Sequence, residues 1–130
     1  MTLLRLFLCA FALALASTVQ AMAEAGPPCD PGRGAEVFAT KCTSCHSLDP
    51  EVRGLMGPSL RGVVGRTPGR TAGFTYSPAL LQLANPWTAS TLDWFLADPI
   101  GRVPGTYMAF TGVSREADRR ALICYLGEAH

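Results

Sequence analysis

The chain is poor in the features that mark several large protein classes. It has a single lysine, Lys41, in 130 residues, so its basic residues are almost all arginine. Neither sign of charge dominates: 11 basic residues stand against 10 acidic ones, a formal net charge of +1. A nucleic-acid binder carries a basic excess on its binding face, so that class is excluded. Histidine occurs twice, as His46 and His130. Strand-like alternation and internal repeats are missing, which leaves an all-α class with long loops. Beyond the first residues, no apolar run approaches the ~20 residues that cross a bilayer.

The first residues are of another kind. Met1 to Arg5 carries one positive charge, Leu6 to Ala16 reads LFLCAFALALA, and Ala21-Met22-Ala23 fits a small-residue cleavage site. That order predicts a secretory signal peptide over residues 1–23, cut after Ala23, with Ala21 and Ala25 as neighbouring sites. The apolar run is too short to serve as a spanning anchor. Residues 24–130 then form one domain, large enough for one core with little margin. Cleavage removes Arg5 and leaves ten basic residues against ten acidic ones. It also removes Cys9. Cys29, Cys42, Cys45 and Cys124 remain, in an oxidising compartment where spare thiols tend to pair.

Three segments have helical character. Gly32 to Lys41 places Val37, Phe38 and Lys41 on one side, with Gly34 one turn earlier on the same face. Ala89 to Asp98 has Thr88 placed to cap it, a stripe of Leu92, Phe95 and Leu96, and Pro99 to end it. A third helix is expected to start at Ser114 as N-cap, with Glu116 and Asp118 at its positive end and Gly127 at its close. Its buried stripe is Ala117, Ala121, Leu122, Tyr125 and Leu126. Between the first two helices, Gly54 to Pro86 is dense in Gly, Pro, Ser and Thr and has no sustained period. So long a loop inside a compact domain needs something to wrap around.

Cys42-Thr43-Ser44-Cys45-His46 is the feature that carries chemistry. C-x-x-C-H is the attachment signature of a c-type haem. Two cysteines three apart at a helix end point the same way, so both thiols reach the vinyl groups of one porphyrin and form thioethers. His46 follows at once and is placed to ligate the iron. A redox-active C-x-x-C would need a βαβ setting, which is not visible. A zinc site would need about four ligands, and only three cluster here. A plain disulfide would leave His46 unexplained. For the second iron ligand, His130 is the last residue, and Met56 is too near His46 in sequence to reach the opposite face easily. Met108 sits in Pro104-Gly105-Thr106-Tyr107-Met108-Ala109-Phe110, between the second and third helices. A lone methionine is usually core filler. Here a thioether is needed across the ring, so Met108 is read as the ligand. His/Met ligation raises the potential and fills both axial positions, which favours electron transfer over catalysis.

With these pieces in order, the chain resembles class I cytochrome c from about Cys29 to its end. The resemblance rests on GAEVF at Gly34 to Phe38, KCTSCH at Lys41 to His46, GPSL at Gly57 to Leu60 and GRTPGRTAGFTYS at Gly65 to Ser77, followed by Trp87, PGTYMAF at Pro104 to Phe110 and ALICYL at Ala121 to Leu126. It implies a few helices with long loops wrapped around one covalently bound haem c, the loop from Gly54 to Pro86 running along the lower haem edge. It implies that the Pro58 carbonyl orients the His46 ring. Tyr76 and Trp87 would hydrogen-bond a buried propionate, Arg66 would lie near it, and Thr106 would support the other propionate region. Phe110 would cover the haem near its exposed edge, and Gly34 would let the first helix cross the last against Leu122 and Tyr125. The family fold also brings Cys29 beside Cys124, as a disulfide or as two free thiols.

Three departures stand out. Phe95 occupies a position where the family often has a tyrosine that donates to the methionine sulfur. Leu80 stands where an asparagine is common near an internal water. The lysine ring of mitochondrial members is largely missing, with Lys41 at one position and Arg53, Arg61, Arg70 and Arg102 available for others. The expected function is that of a monomeric one-electron carrier of the bacterial periplasm, not an enzyme. Its partners would be membrane redox complexes or periplasmic oxidoreductases.

Overall fold

The structure is a computed structural model and describes residues 29–130. The expected signal peptide, residues 1–23, lies outside the described residues. The described part contains five helices: α1 (Pro31–Lys41), α2 (Pro78–Leu81), α3 (Ala89–Ala97), α4 (Pro99–Arg102) and α5 (Glu116–Glu128). Among the described residues there is no β-strand.

Helix α1 begins one residue earlier than its apolar pattern suggests. Pro31 occupies the first turn, where a missing N–H costs nothing, and Asp30 caps the end by accepting from the Arg33 N–H at 2.9 Å. Val37 and Phe38 point into the core, 2% and 6% exposed. Helix α3 starts where Thr88 predicts. The Thr88 and Thr91 side chains each accept from the other's backbone N–H, a reciprocal cap. Pro99 ends α3 and also opens α4, with Asp98 between them accepting from the Gly101 N–H at 3.0 Å.

Helix α5 corrects three expectations, the first being Ala117, which is exposed and not part of the buried stripe. Ser114 is not its N-cap: the cap position is Arg115, and no side chain caps it. Glu116 and Asp118 in the first turn supply the negative charge that its N-terminus favours, so the end holds without a hydroxyl. The Ser114 carbonyl instead accepts from the Arg119 guanidinium at 2.9 Å, as does that of Val113. Gly127 does not end the helix either. It keeps a helical φ, and the helix runs on to Glu128.

The crossing of α1 over α5 organises the fold, and α3 packs beside it on α5. Gly34 makes the crossing possible. A Cβ there would collide with the Ala121 carbonyl oxygen and lie 2.6 Å from the Tyr125 Cβ. The contacts are Ala121 and Tyr125, where the sequence suggested Leu122 and Tyr125. Phe38 and Tyr125 meet beside it with ring centroids 5.7 Å apart. Leu122, 1% exposed, fills the centre with Leu92, Phe95, Leu96, Val113 and Leu126.

Two further ties hold the crossing. Cys29 and Cys124 form a disulfide with a Cα–Cα distance of 5.7 Å, within the ordinary range. Arg33 on α1 donates to the buried Asp118 on α5 at 3.0 Å. A separate pair, Arg119 donating to Asp93 at 2.8 Å, joins α5 to α3. The Arg33 hydrogen bond holds the Asp118 carboxyl below the usual carboxylate range, against the opposing effect of burial.

The disulfide closes most of the domain into one loop and so removes entropy from the unfolded chain. Replacing both Cys29 and Cys124 by Ser is expected to cost about 2–4 kcal/mol, read as a lower guanidinium midpoint of the haem-loaded protein. Because the folded Asp118 pKa is depressed, its contribution is full above the unfolded value and lost as pH falls through the folded one. The midpoint difference between wild type and Asp118→Asn is therefore expected to be largest near pH 7 and to shrink as pH falls below about 4.

Candidate functional site

The C-terminal end of α1 delivers the Cys42–His46 motif. Cys42 is the C-cap, its N–H bonded to the Phe38 carbonyl at 2.9 Å. The chain then turns tightly, with the Cys45 and His46 N–H groups both donating to the Cys42 carbonyl at 3.0 and 2.8 Å. This turn brings Cys42, Cys45 and His46 onto one cavity of about 310 Å³. Both thiols are free.

Loop residues 54–60 close over the histidine. The Gly57 N–H donates to the Cys45 carbonyl at 2.9 Å and the Leu60 N–H to the Ser47 carbonyl at 2.9 Å. His46 Nδ1–H donates to the Pro58 carbonyl at 2.7 Å. That bond places the proton on Nδ1 and leaves the Nε2 lone pair for a metal. Burial lowers the His46 pKa, and the Pro58 bond opposes it, so the ring is neutral at pH 7. Gly57 lies against the face of the imidazole. A Cβ there would stand 2.5 Å from Nδ1, so only glycine leaves the ring its place. Gly57 is a site residue that sequence reasoning did not assign. Its one signal is its position directly before Pro58.

All ten residues singled out from the sequence line this cavity: Cys42, Cys45, His46, Pro58, Arg66, Tyr76, Trp87, Thr106, Met108 and Phe110. Met108 is half-buried and packs against the core, and its N–H donates to Thr106 Oγ1 at 3.2 Å. Trp87 is buried, its ring 5.1 Å from that of Phe95. Its backbone exchanges bonds with the loop, Trp87 N–H to the Arg66 carbonyl at 3.0 Å and Gly65 N–H to the Trp87 carbonyl at 2.7 Å. The Arg66 guanidinium donates to the Ser59 and Arg61 carbonyls at 2.9 and 2.8 Å. Tyr76 packs edge-on to Phe74 at 4.8 Å. Apolar walls come from Leu60, Val63, Leu80, Leu92, Phe95, Leu122 and Leu126.

Two other readings of the motif lose ground on this geometry. Burial pushes the Cys42 thiol up to about 11, so it is protonated at neutral pH, whereas a redox-active C-x-x-C depends on a lowered thiol pKa. For zinc, Cys42, Cys45 and His46 do not bring their ligand atoms together. The close ligand group among the described residues is Cys29, Cys124 and Glu128, whose two cysteines are already joined. A cavity lined by two thiols, a neutral imidazole offering Nε2, a thioether and leucine-rich walls suits a covalently held iron porphyrin. The chemistry of the donor set and the close fit of Gly57 to the imidazole both agree with that group.

An all-helical fold built around such a cavity defines a haem-carrying electron-transfer class. Comparison with known proteins narrows it. Residues 32–129 match the family model described as Cytochrome c. Cytochrome c of Ulva intestinalis is 39% identical over 103 residues, covering 79% of this chain and 93% of that protein. Cytochrome c of Gossypium barbadense is 40% identical over the same shares. Among solved structures, cytochrome cH from Methylobacterium extorquens is similar with a TM-score of 0.68 at 39% identity, covering 75% of this chain and 96% of that one. The chain belongs to the cytochrome c family, in its class I. Members of that family carry covalently attached haem c and act as electron carriers rather than enzymes.

The clearance at Gly57 generates a test. Gly57→Ala is expected to displace the His46 ring and cost about 1–3 kcal/mol as an overpacked site. The measurement is the denaturant midpoint of the haem-loaded variant, together with haem content per protein at equal expression.

Proposed function

We propose that the chain is an exported one-electron carrier of the bacterial periplasm, with haem c joined to Cys42 and Cys45 and its iron held between His46 and Met108. The observation that carries this reading is the pairing of a Pro58-locked, neutral imidazole with a thioether on the same cavity. The leader-like residues 1–23 support export, and among the described residues no helix is long and apolar enough to cross a membrane.

When bound, haem c supplies one-electron cycling between ferrous and ferric iron. The protein's own part is to hold its ligands still. The Pro58 carbonyl fixes the His46 tautomer and ring plane and raises the ligand's basicity. Thr106 Oγ1 anchors the Met108 backbone. Leu80 and Phe95 present hydrocarbon to the cavity, so the thioether receives no side-chain hydrogen bond from either. Arg66, held by two loop carbonyls, lines the cavity with Tyr76 and Trp87, and these three would meet the charge and hydrogen-bonding need of a buried propionate. Phe110, which also lines the cavity, would cover an edge of the haem. Partners in this reading are membrane redox complexes or periplasmic oxidoreductases, served by a monomer.

The deciding experiment is a redox titration of the purified haem-loaded protein. A single reversible one-electron couple is expected, with haem retained through denaturing electrophoresis. Met108→Ala is expected to keep the haem attached, abolish the long-wavelength sulfur-to-iron band of the ferric protein and let the ferrous iron bind carbon monoxide. An unaltered ferric spectrum in Met108→Ala would remove Met108 from the ligand set.

A further inference from the structure

A cluster of ligand-bearing side chains stands apart from the lining of the haem cavity. Cys29, Cys124 and Glu128 bring two sulfurs and a carboxylate oxygen within 4.8 Å of one another. None of the three lines the cavity. Cys124 and Glu128 are four residues apart on α5, so their side chains stand on one face, a turn from each other. Cys29 comes from the segment before α1, outside any helix. Among the described residues, the Glu128 carboxylate takes part in no ion pair.

While the two sulfurs are joined, neither is a thiolate that could hold a metal. Cys29 is exposed and Cys124 partly so, and an attacking thiolate can therefore reach the bond. A dithiol opens it through a mixed disulfide, passes two electrons and two protons to Cys29 and Cys124, and leaves as its own disulfide. In the haem-loaded protein proposed above, Cys42 and Cys45 are thioethers, so among the described residues Cys29 and Cys124 are the thiols that reduction releases. Two thiolates and a carboxylate suit a borderline-soft divalent ion such as zinc, with water as the fourth ligand. Two Zn–S bonds of about 2.3 Å in tetrahedral geometry set the sulfurs about 3.8 Å apart, inside the 4.8 Å span of the cluster.

We propose that reduction of the Cys29–Cys124 bond turns this cluster into a zinc site made of both Sγ atoms and a Glu128 carboxylate oxygen. One zinc ion enters as two thiol protons leave. The metal then joins the segment before α1 to the end of α5, as the disulfide did before. The helix crossing keeps a cross-link in either state, a sulfur–sulfur bond in oxidising surroundings and a metal in reducing ones. A metal that binds the folded form stabilises it by mass action, so zinc restores stability that reduction removes.

The test titrates the haem-loaded protein with zinc chloride. Dithiothreitol opens the disulfide and is removed without oxygen, while ascorbate, which reduces haem iron but not a disulfide, prepares the comparison sample. Calorimetry is expected to show one zinc per chain after dithiothreitol and none after ascorbate. Zinc is also expected to raise the guanidinium midpoint of the dithiothreitol-treated protein alone. Glu128→Gln leaves the disulfide able to form and is expected to weaken zinc binding by about 10–100-fold, the range seen even for groups one step removed from a metal. Cys29→Ser is expected to abolish it. His130→Ala removes an exposed imidazole outside the cluster and is expected to leave binding as it was. Equal zinc uptake by the two samples would overturn the proposal, and so would undiminished affinity in Glu128→Gln. A bond that stays closed in the folded protein under excess dithiothreitol would overturn it as well.

Discussion

The close crossing of α1 over α5 is the constraint on which the rest depends. Gly34 lets the two backbones approach until a methyl group would overlap a carbonyl oxygen. The approach positions both sides of the cavity at once. The end of α1 hands the chain to Cys42, Cys45 and His46, while α5 supplies Leu122 and Leu126 as wall. The disulfide and the Arg33–Asp118 pair tie the same two helices. A domain of this size has little core to spare, so this concentration of ties at one crossing has a physical purpose.

The second constraint is the treatment of polar groups near an apolar slot. His46 is buried, and a buried imidazole is costly unless a partner takes its N–H. Pro58 meets that need and, in doing so, determines which nitrogen faces the cavity. Charges on α1, α3 and α5 are largely paired with one another.

Much of this was legible in the sequence, and the reason is local geometry. Two cysteines three residues apart at a helix end meet one ligand whatever the remainder of the fold does. Thr88 and Pro99 bound α3 because capping and a missing N–H act within one turn. The same reasoning failed at α5. Ser114 has the right chemistry for a cap, but its carbonyl is taken by Arg119, a residue on the helix that also reaches Asp93 on α3. Gly127 lacks the left-handed φ that makes glycine a helix stop. Neither fact can be read from residue type.

By itself, then, the sequence determined the attachment motif, the helix segments, the need of the long loop for something to wrap and the even charge balance. These depend on spacing, propensity and composition, all of which act over a few residues or none. Only the tertiary structure decided that Met108 shares a cavity with His46, that Cys29 joins Cys124, and that Gly57 must be bare beside the imidazole. Those facts join residues far apart in the chain. They exist only once the helices have crossed and the loop has been stitched down by its own backbone bonds, because until then nothing holds those side chains within reach of one another.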